Sequence, residues 1–156
     1  IRPSLDSDAD TLWSMLEPVF RAGDTYSIDP DISLEDALAY WTAHHAYVAE
    51  IDGTPVGTFY IRPNQQGGGG HVCNCGYITA RSAEGKGVAR AMLDFSLEEA
   101  KRLGFEAMQY NFVLANNIRA IDTWRRAGFK EIGRIPQAFK LPDQTYTDAL
   151  ILHRFL

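Results

Sequence analysis

Leu12, Leu16, Val19 and Phe20 recur at helical spacing behind Asp6, Ser7 and Asp8. That pattern predicts a capped amphipathic helix running to about Phe20, after a short strand over residues 1–5. Residues 21–33 hold Gly23, Pro30 and several aspartates and read as a loop, which Ser33 ends by capping a second helix with Leu34, Ala37, Leu38 and Trp41 on its apolar side. Alternation then replaces helical spacing. AYVAEIDGTPVGTFYI, residues 46–61, pairs two β-patterned runs across Asp52-Gly53, a dipeptide suited to a tight antiparallel turn. The polar stretch PNQQGGGG at 63–70 precedes HVCNCGYIT, which is β-branched and aromatic. Its glycines therefore read as a hairpin connection, since a phosphate loop needs a helix after it. ARSAEGKGVARAM, by contrast, passes straight into a helix with Val88, Met92, Phe95 and Leu103 on its apolar face. EAMQYNFVL predicts another strand, NNIRAIDTWRRAGF a helix stopped by Gly128, and KEIGRI and DALILHRFL two closing strands.

A chain of 156 residues fits one domain over 1–156. Its formal charge of −5 argues against a phosphate-backbone partner, so no nucleic acid is expected. No apolar run is long enough to cross a bilayer, which predicts a soluble, cytoplasmic protein without a membrane partner. Cys73 and Cys75 are too few for a disulfide framework and read as reduced thiols. With His71 they alternate onto one strand face, yet no second ligand cluster at zinc spacing follows, and no metal is expected. Ser82 stands in no nucleophile elbow, which leaves little behind a hydrolase reading.

Gly85 and Gly87 let the backbone turn tightly before a helix, so successive N–H groups can converge on an anion at its positive end. EGKGVA, residues 84–89, resembles the Gln/Arg-x-x-Gly-x-Gly/Ala signature of the GCN5-related N-acetyltransferases (GNAT). Asn117, Ala120, Trp124 and Gly128-Phe129 resemble that family's second motif, Asn-x-x-Ala-x-x-x-Tyr-x-x-x-Gly-Phe. The resemblance implies an α/β (α+β) fold: a mixed, mostly antiparallel sheet of about seven strands, splayed between the fourth and fifth and flanked by about four helices. It also implies acetyl-CoA as acyl donor, lying in the splay like an extra strand. The backbone of Tyr77, Ile78 and Thr79 would pair with pantetheine, and Gly85, Lys86, Gly87, Val88, Ala89 and Arg90 would hold the pyrophosphate, with Glu84, Asn117 and Trp124 among the cofactor contacts. Two positions depart from the signature. Glu84 replaces Gln or Arg, with Arg81, Lys86 and Arg90 near enough in sequence to offset its charge. Trp124 replaces the tyrosine assigned to protonate the leaving thiolate, and an indole N–H does not give up its proton. Water or Tyr110 are substitutes.

Family members often place a carboxylate on the fourth strand, whereas HVCNCGYIT has none. Asn74 there and Asn111 on the next strand are the candidate groups for aligning an acceptor amine, their amide oxygens accepting its N–H. Tyr77 joins them as a candidate catalytic residue, and the alternative for the asparagines is that they finish backbone where the sheet opens. Strict alternation puts Asn74 and Tyr77 on opposite faces, so a bulge near Cys75-Gly76 is expected to turn both toward the pocket. Phe20, Tyr26 and Tyr60 are candidate pocket walls, and residues 21–33 a candidate cover. Asn117 also suits a helix N-cap. HVCN with an aromatic after CG is similar to the subgroup that acetylates proline analogues such as azetidine-2-carboxylate. This implies a small-molecule amine acceptor and is compatible with a homodimer. The rival readings are a non-catalytic acyl-CoA-binding module and a protein N-terminal acetyltransferase.

Overall fold

The computed structural model describes residues 1–156. Asp52 and Gly53 take φ of 50° and 74°, the paired positive values of a type I′ turn, and close the hairpin of β2 (His45–Ile51) and β3 (Thr54–Pro63). β1 (Arg2–Pro3) adds to β2, and β4 (Val72–Thr79) returns antiparallel to β3 after the glycine run, which forms a short 3-10 turn over Gly67–Gly69. The second half of the sheet is β5 (Ala107–Leu114), β6 (Lys130–Lys140) and β7 (Tyr146–Phe155). The strand order is β1-β2-β3-β4-β5-β7-β6. Only β4 and β5 run parallel, and they touch at just two rungs, Val72 opposite Ala107 and Cys73 opposite Met108. The fold is the seven-stranded, mostly antiparallel sheet with four helices that the motifs imply.

The helices divide between the two faces. α1 (Ala9–Ala22) and α2 (Leu34–Thr42) bury Leu12, Leu16, Phe20 and Trp41 against Val48, Tyr60 and Ile78. Trp41 Nε1 donates to Thr58 Oγ1 at 2.9 Å, and that hydroxyl donates to the Tyr47 carbonyl at 2.9 Å, which pins α2 over β3 without leaving a buried polar atom unpaired. α3 (Val88–Arg102) and α4 (Ile118–Arg126) cover the other face, with Met92, Leu93 and Ile121 packed on Phe59, Cys73, Met108 and Tyr110. Gly57 admits α3, since a Cβ there would stand 2.9 Å from Met92 Sδ.

Two sequence expectations change. β4 keeps an unbroken register with β3 from Cys73 to Thr79, so the bulge expected at Cys75-Gly76 is absent. The slip lies in β5, where Tyr110 faces Leu152 and Val113 faces Leu150, leaving Asn111 and Phe112 opposite one residue. Gly76 instead makes room for the Tyr60 ring, whose Cε1 would lie 2.7 Å from an added Cβ. Phe20 is a core residue, 1% exposed, and walls no pocket.

Candidate active site

Where the sheet opens is set by which way β4 turns its backbone. Asn64 N–H donates to the Val72 carbonyl and Ala80 N–H to the Val56 carbonyl, both at 2.8 Å, at the two ends of the β3–β4 ladder. Even-numbered residues between them face β3, and Cys75, Tyr77 and Thr79 turn their N–H and C=O toward β5. β5 is not there to meet them. After Cys73 and Met108 the next parallel rung would take the Cys75 N–H to the Gln109 carbonyl; that carbonyl instead accepts Asn74 Nδ2 at 2.9 Å. The Asn74 side chain thus ends the ladder. Tyr26 Oη, from the 21–33 loop, donates to the Tyr77 carbonyl at 2.9 Å, leaving the Tyr77 N–H and the Thr79 groups along an open edge. Ile78 stands opposite Thr58 with its backbone turned to β3, so it offers nothing to that edge.

The edge leads to the N-terminus of α3. Gly85 and Gly87 have φ of 75° and 80°, and a Cβ on either would meet nothing within 4 Å, so the turn is open on its concave side. The first α3 amide with a backbone partner is that of Ala91, to the Gly87 carbonyl at 3.0 Å, and no side chain caps the helix. The N–H groups of Gly87, Val88, Ala89 and Arg90 therefore stand ready for an anion at the positive end of the helix. A cavity of about 390 Å³ lies over them, lined also by Thr79, Glu84, Arg119, Thr123 and Trp124.

On the far side of Tyr77 and Trp124 a second cavity of about 260 Å³ is walled by Tyr26, Tyr40, Tyr60, Asn74, Asn111 and Asn117. Residues 25–28 of the long loop form one of its walls. Asn74 Oδ1 receives the Tyr60 hydroxyl at 3.3 Å. Asn111 Oδ1 accepts from Gln109 Nε2 at 2.9 Å and its Nδ2 donates to Asn64 Oδ1 at 2.6 Å. The two candidate asparagines are joined through Gln109, backbone on one side and side chain on the other. Arg62 is the only lining residue with a charge.

Residues 10–129 match the Acetyltransferase (GNAT) family. The chain belongs to that family. A GCN5-related N-acetyltransferase from Kribbella flavida is 33% identical, with a TM-score of 0.94 over 99% of this chain and 96% of its own. The N-acetyltransferase aca1 of Schizosaccharomyces pombe is 38% identical over 97 residues, 62% of this chain; the chain spans less than half (46%) of that relative. A phosphinothricin acetyltransferase from Sinorhizobium meliloti, solved in complex with acetyl-CoA, shares the fold at 17% identity with a TM-score of 0.87, over 99% of this chain and 86% of its own.

In this GNAT chain the motif residues fall into three groups. Tyr77, Thr79, Glu84, Gly85, Gly87, Val88, Ala89, Arg90 and Trp124 line the cradle. Glu84 makes no ion pair; Lys86 lies outside the cavity lining, and Arg90, which lines it, is tied to Asp94 at 2.8 Å. Arg119 is a second cation in the lining, one that motif reading passed over although it stands two residues after the N-cap Asn117. Asn117 Oδ1 accepts the Ala120 N–H at 3.3 Å, as an N-cap should. The Tyr77 hydroxyl points into the core, 2.7 Å from Ser96 Oγ and 3.2 Å from the Tyr110 hydroxyl. Burial pushes both phenols well above their usual range, so what Tyr77 offers the gap is backbone, and Tyr110 is no ready proton donor. Burial likewise raises the Cys75 thiol, which keeps it protonated and unreactive. No three His, Cys, Asp or Glu side chains converge as a metal site, and no helix is long and apolar enough to cross a membrane.

Proposed function

We propose that the chain moves acetyl from acetyl-CoA directly to the amine of a small amino or imino acid, of the kind represented by azetidine-2-carboxylate. The observation that carries this is the open β4 edge, which runs from an uncapped glycine turn at one end to a small cavity at the other. Thr79 and the Tyr77 N–H suit an amide-bearing extended chain, and the α3 amides suit its pyrophosphate. Bound acetyl-CoA supplies a thioester carbon that a neutral amine attacks, the C–N bond forming as the C–S bond breaks.

Asn74 and Asn111 orient that amine. Each amide oxygen has one partner in the protein and a second lone pair for an acceptor N–H. Neither is a base, so the ammonium proton passes to water before attack, the nitrogen gives its second proton to water as the C–N bond forms, and the CoA thiolate leaves beside Trp124 and takes its proton from water. A thiol of reference pKa about 8.5 leaves tolerably in this way, and the missing general acid forfeits about 10² to 10⁴-fold. A cavity of about 260 Å³ favours a small acceptor over a peptide, which would need a long groove.

The test is an acetyl-CoA thiol-release screen over amino acids, imino acids, polyamines and short peptides. Release with the small acids is the expected result. Release with peptides alone would make the chain an N-terminal acetyltransferase, and acetyl-CoA binding with no release from any amine would make it an acyl-CoA-binding module.

A further inference from the structure

Arg62 is half-buried and has no carboxylate within ion-pair distance anywhere in the protein. Its guanidinium lies 4.8 Å from the Tyr40 ring centroid and 4.6 Å from that of Tyr60, and one nitrogen donates to the Tyr40 hydroxyl at 3.0 Å. The two rings meet edge to face with centroids 6.0 Å apart, so they form a corner that fixes the guanidinium plane. This engages the face of the group and one of its five N–H donors. A cation taken partly out of water without a counter-ion is unfavourable, and here the counter-ion is missing from a cavity that holds no other charge.

We infer that Arg62 recognises the carboxylate of the acceptor and so makes α-amino and α-imino acids the preferred substrates. This rests on the acetyl-transfer reading and names the specificity-determining residue within it. Arg62 stands directly opposite Asn74 across the β3–β4 ladder, so the two side chains rise from the same face as nearest cross-strand neighbours. An α-amino acid carries its nitrogen and its carboxylate on one carbon. Adjacent anchors for amine and carboxylate match that spacing, whereas an amine with its acid several carbons away would reach only one of them. The planar fork presents parallel N–H groups to two carboxylate oxygens, and the tyrosine corner removes most of the freedom that binding would otherwise have to quench. The reacting nitrogen then sits beside Asn74, at the point where the ladder opens.

The experiment compares acceptors that differ only at the acid: azetidine-2-carboxylate and its carboxamide, with thiol release followed for the parent, Arg62→Gln and Arg62→Lys. Because each acceptor is compared across variants, differences in amine basicity cancel. Arg62→Gln should lower kcat/KM for the acid by about 10 to 100-fold more than for the carboxamide, mostly through KM. Arg62→Lys should recover part of the loss, keeping the charge without the fork. Acetyl-CoA affinity measured by calorimetry should be the same in all three. Equal losses on acid and carboxamide would make Arg62 a packing pillar and overturn the inference, as would a parent enzyme indifferent to the acid. If the parent acetylates polyamines or peptides but neither azetidine, the inference fails and acetyl transfer stands; if it acetylates no amine, the underlying reading fails with it.

Discussion

Tyr60 can reach Asn74 because β4 has no side chain at Gly76. A Cβ added there would stand 2.7 Å from Tyr60 Cε1, 2.9 Å from Cζ and 3.0 Å from the hydroxyl oxygen, inside any real carbon contact. The ring is hemmed in on every side but the cavity it lines. Trp41 holds one edge with a centroid 4.9 Å away, the Arg62 guanidinium lies 4.6 Å from the centroid, and Tyr60 is 4% exposed. Overpacking of this kind costs about 1–3 kcal/mol, which for a domain of this size lowers the melting temperature by roughly 2–12 °C. Gly76→Ala should therefore melt earlier in scanning calorimetry. It should also raise KM for the amino-acid acceptor, since a displaced Tyr60 releases Asn74 Oδ1 and shifts Arg62. The α3 turn touches none of these groups, so acetyl-CoA affinity should hold. Tyr60→Leu vacates the same space, and the double variant should lose less stability than the two single losses added together. A Gly76→Ala protein with the parent's melting temperature and the parent's acceptor kinetics would refute the claim that this glycine shapes the acceptor cavity.

Gly87→Glu projects a carboxylate into the open concavity of the α3 turn, so calorimetry should find CoA binding abolished in a protein that still folds, with about 1–2 kcal/mol lost to its φ of 80°. Asn74→Ala strips the Gln109 carbonyl of its donor and should cost about 1–3 kcal/mol in denaturant unfolding as well as turnover. Asn111→Ala should lower kcat while CoA affinity stays, and Asn111→Asp should restore activity with a shifted pH profile, since a carboxylate is a true base and still accepts from Gln109. The double variant Cys73→Ala and Cys75→Ala should keep most of its turnover; acetyl label trapped on either thiol would contradict direct transfer. The Arg2 guanidinium, against the opposing effect of burial and with help from the Leu5 N–H, holds Asp8 down to about 2. A folded value below the unfolded one means stability that is complete above pH about 4 and lost as pH falls through 2, so Asp8→Asn should flatten the urea-midpoint profile between those values.

Pattern and turn chemistry carried most of the fold because each signal was local. Asp52-Gly53 closes the β2–β3 hairpin at its tip, before the register slips between Ala49 and Glu50, and Ser33 and Asn117 cap their helices within three residues. What escaped was decided by neighbours. β6 runs past the predicted KEIGRI to Lys140, carrying Pro136 and a left-handed Gln137 through a register slip that Asp148 stabilises by accepting the Gln137 N–H at 2.8 Å. The bulge belonged to β5 because Asn74 is pinned to Gln109 and keeps β4 straight, a constraint visible only with both strands in place.

The two halves of the site differ in the same way. The donor cradle is made of backbone, and backbone geometry leaves a mark in sequence: glycines at 85 and 87 before a helix state that N–H groups are to be exposed, whatever else the chain does. The proposed acceptor cavity is made of side chains from α2, β3, β4, β5, α4 with its N-cap, and the 21–33 loop, and no spacing rule links Tyr40, Arg62 and Asn74. Asn74 was legible as an oddity, an amide in a strand, but its partner across the ladder was not. Only the register puts Arg62 opposite it, and only the tyrosine corner shows that this arginine is oriented and lacks a counter-charge. On the proposed reading, acyl donor and acceptor meet at the two sides of one break in the sheet. There Asn74, whose side chain takes the Gln109 carbonyl and ends the ladder, would leave the edge open for the donor and present its remaining lone pair to the amine that the donor must meet.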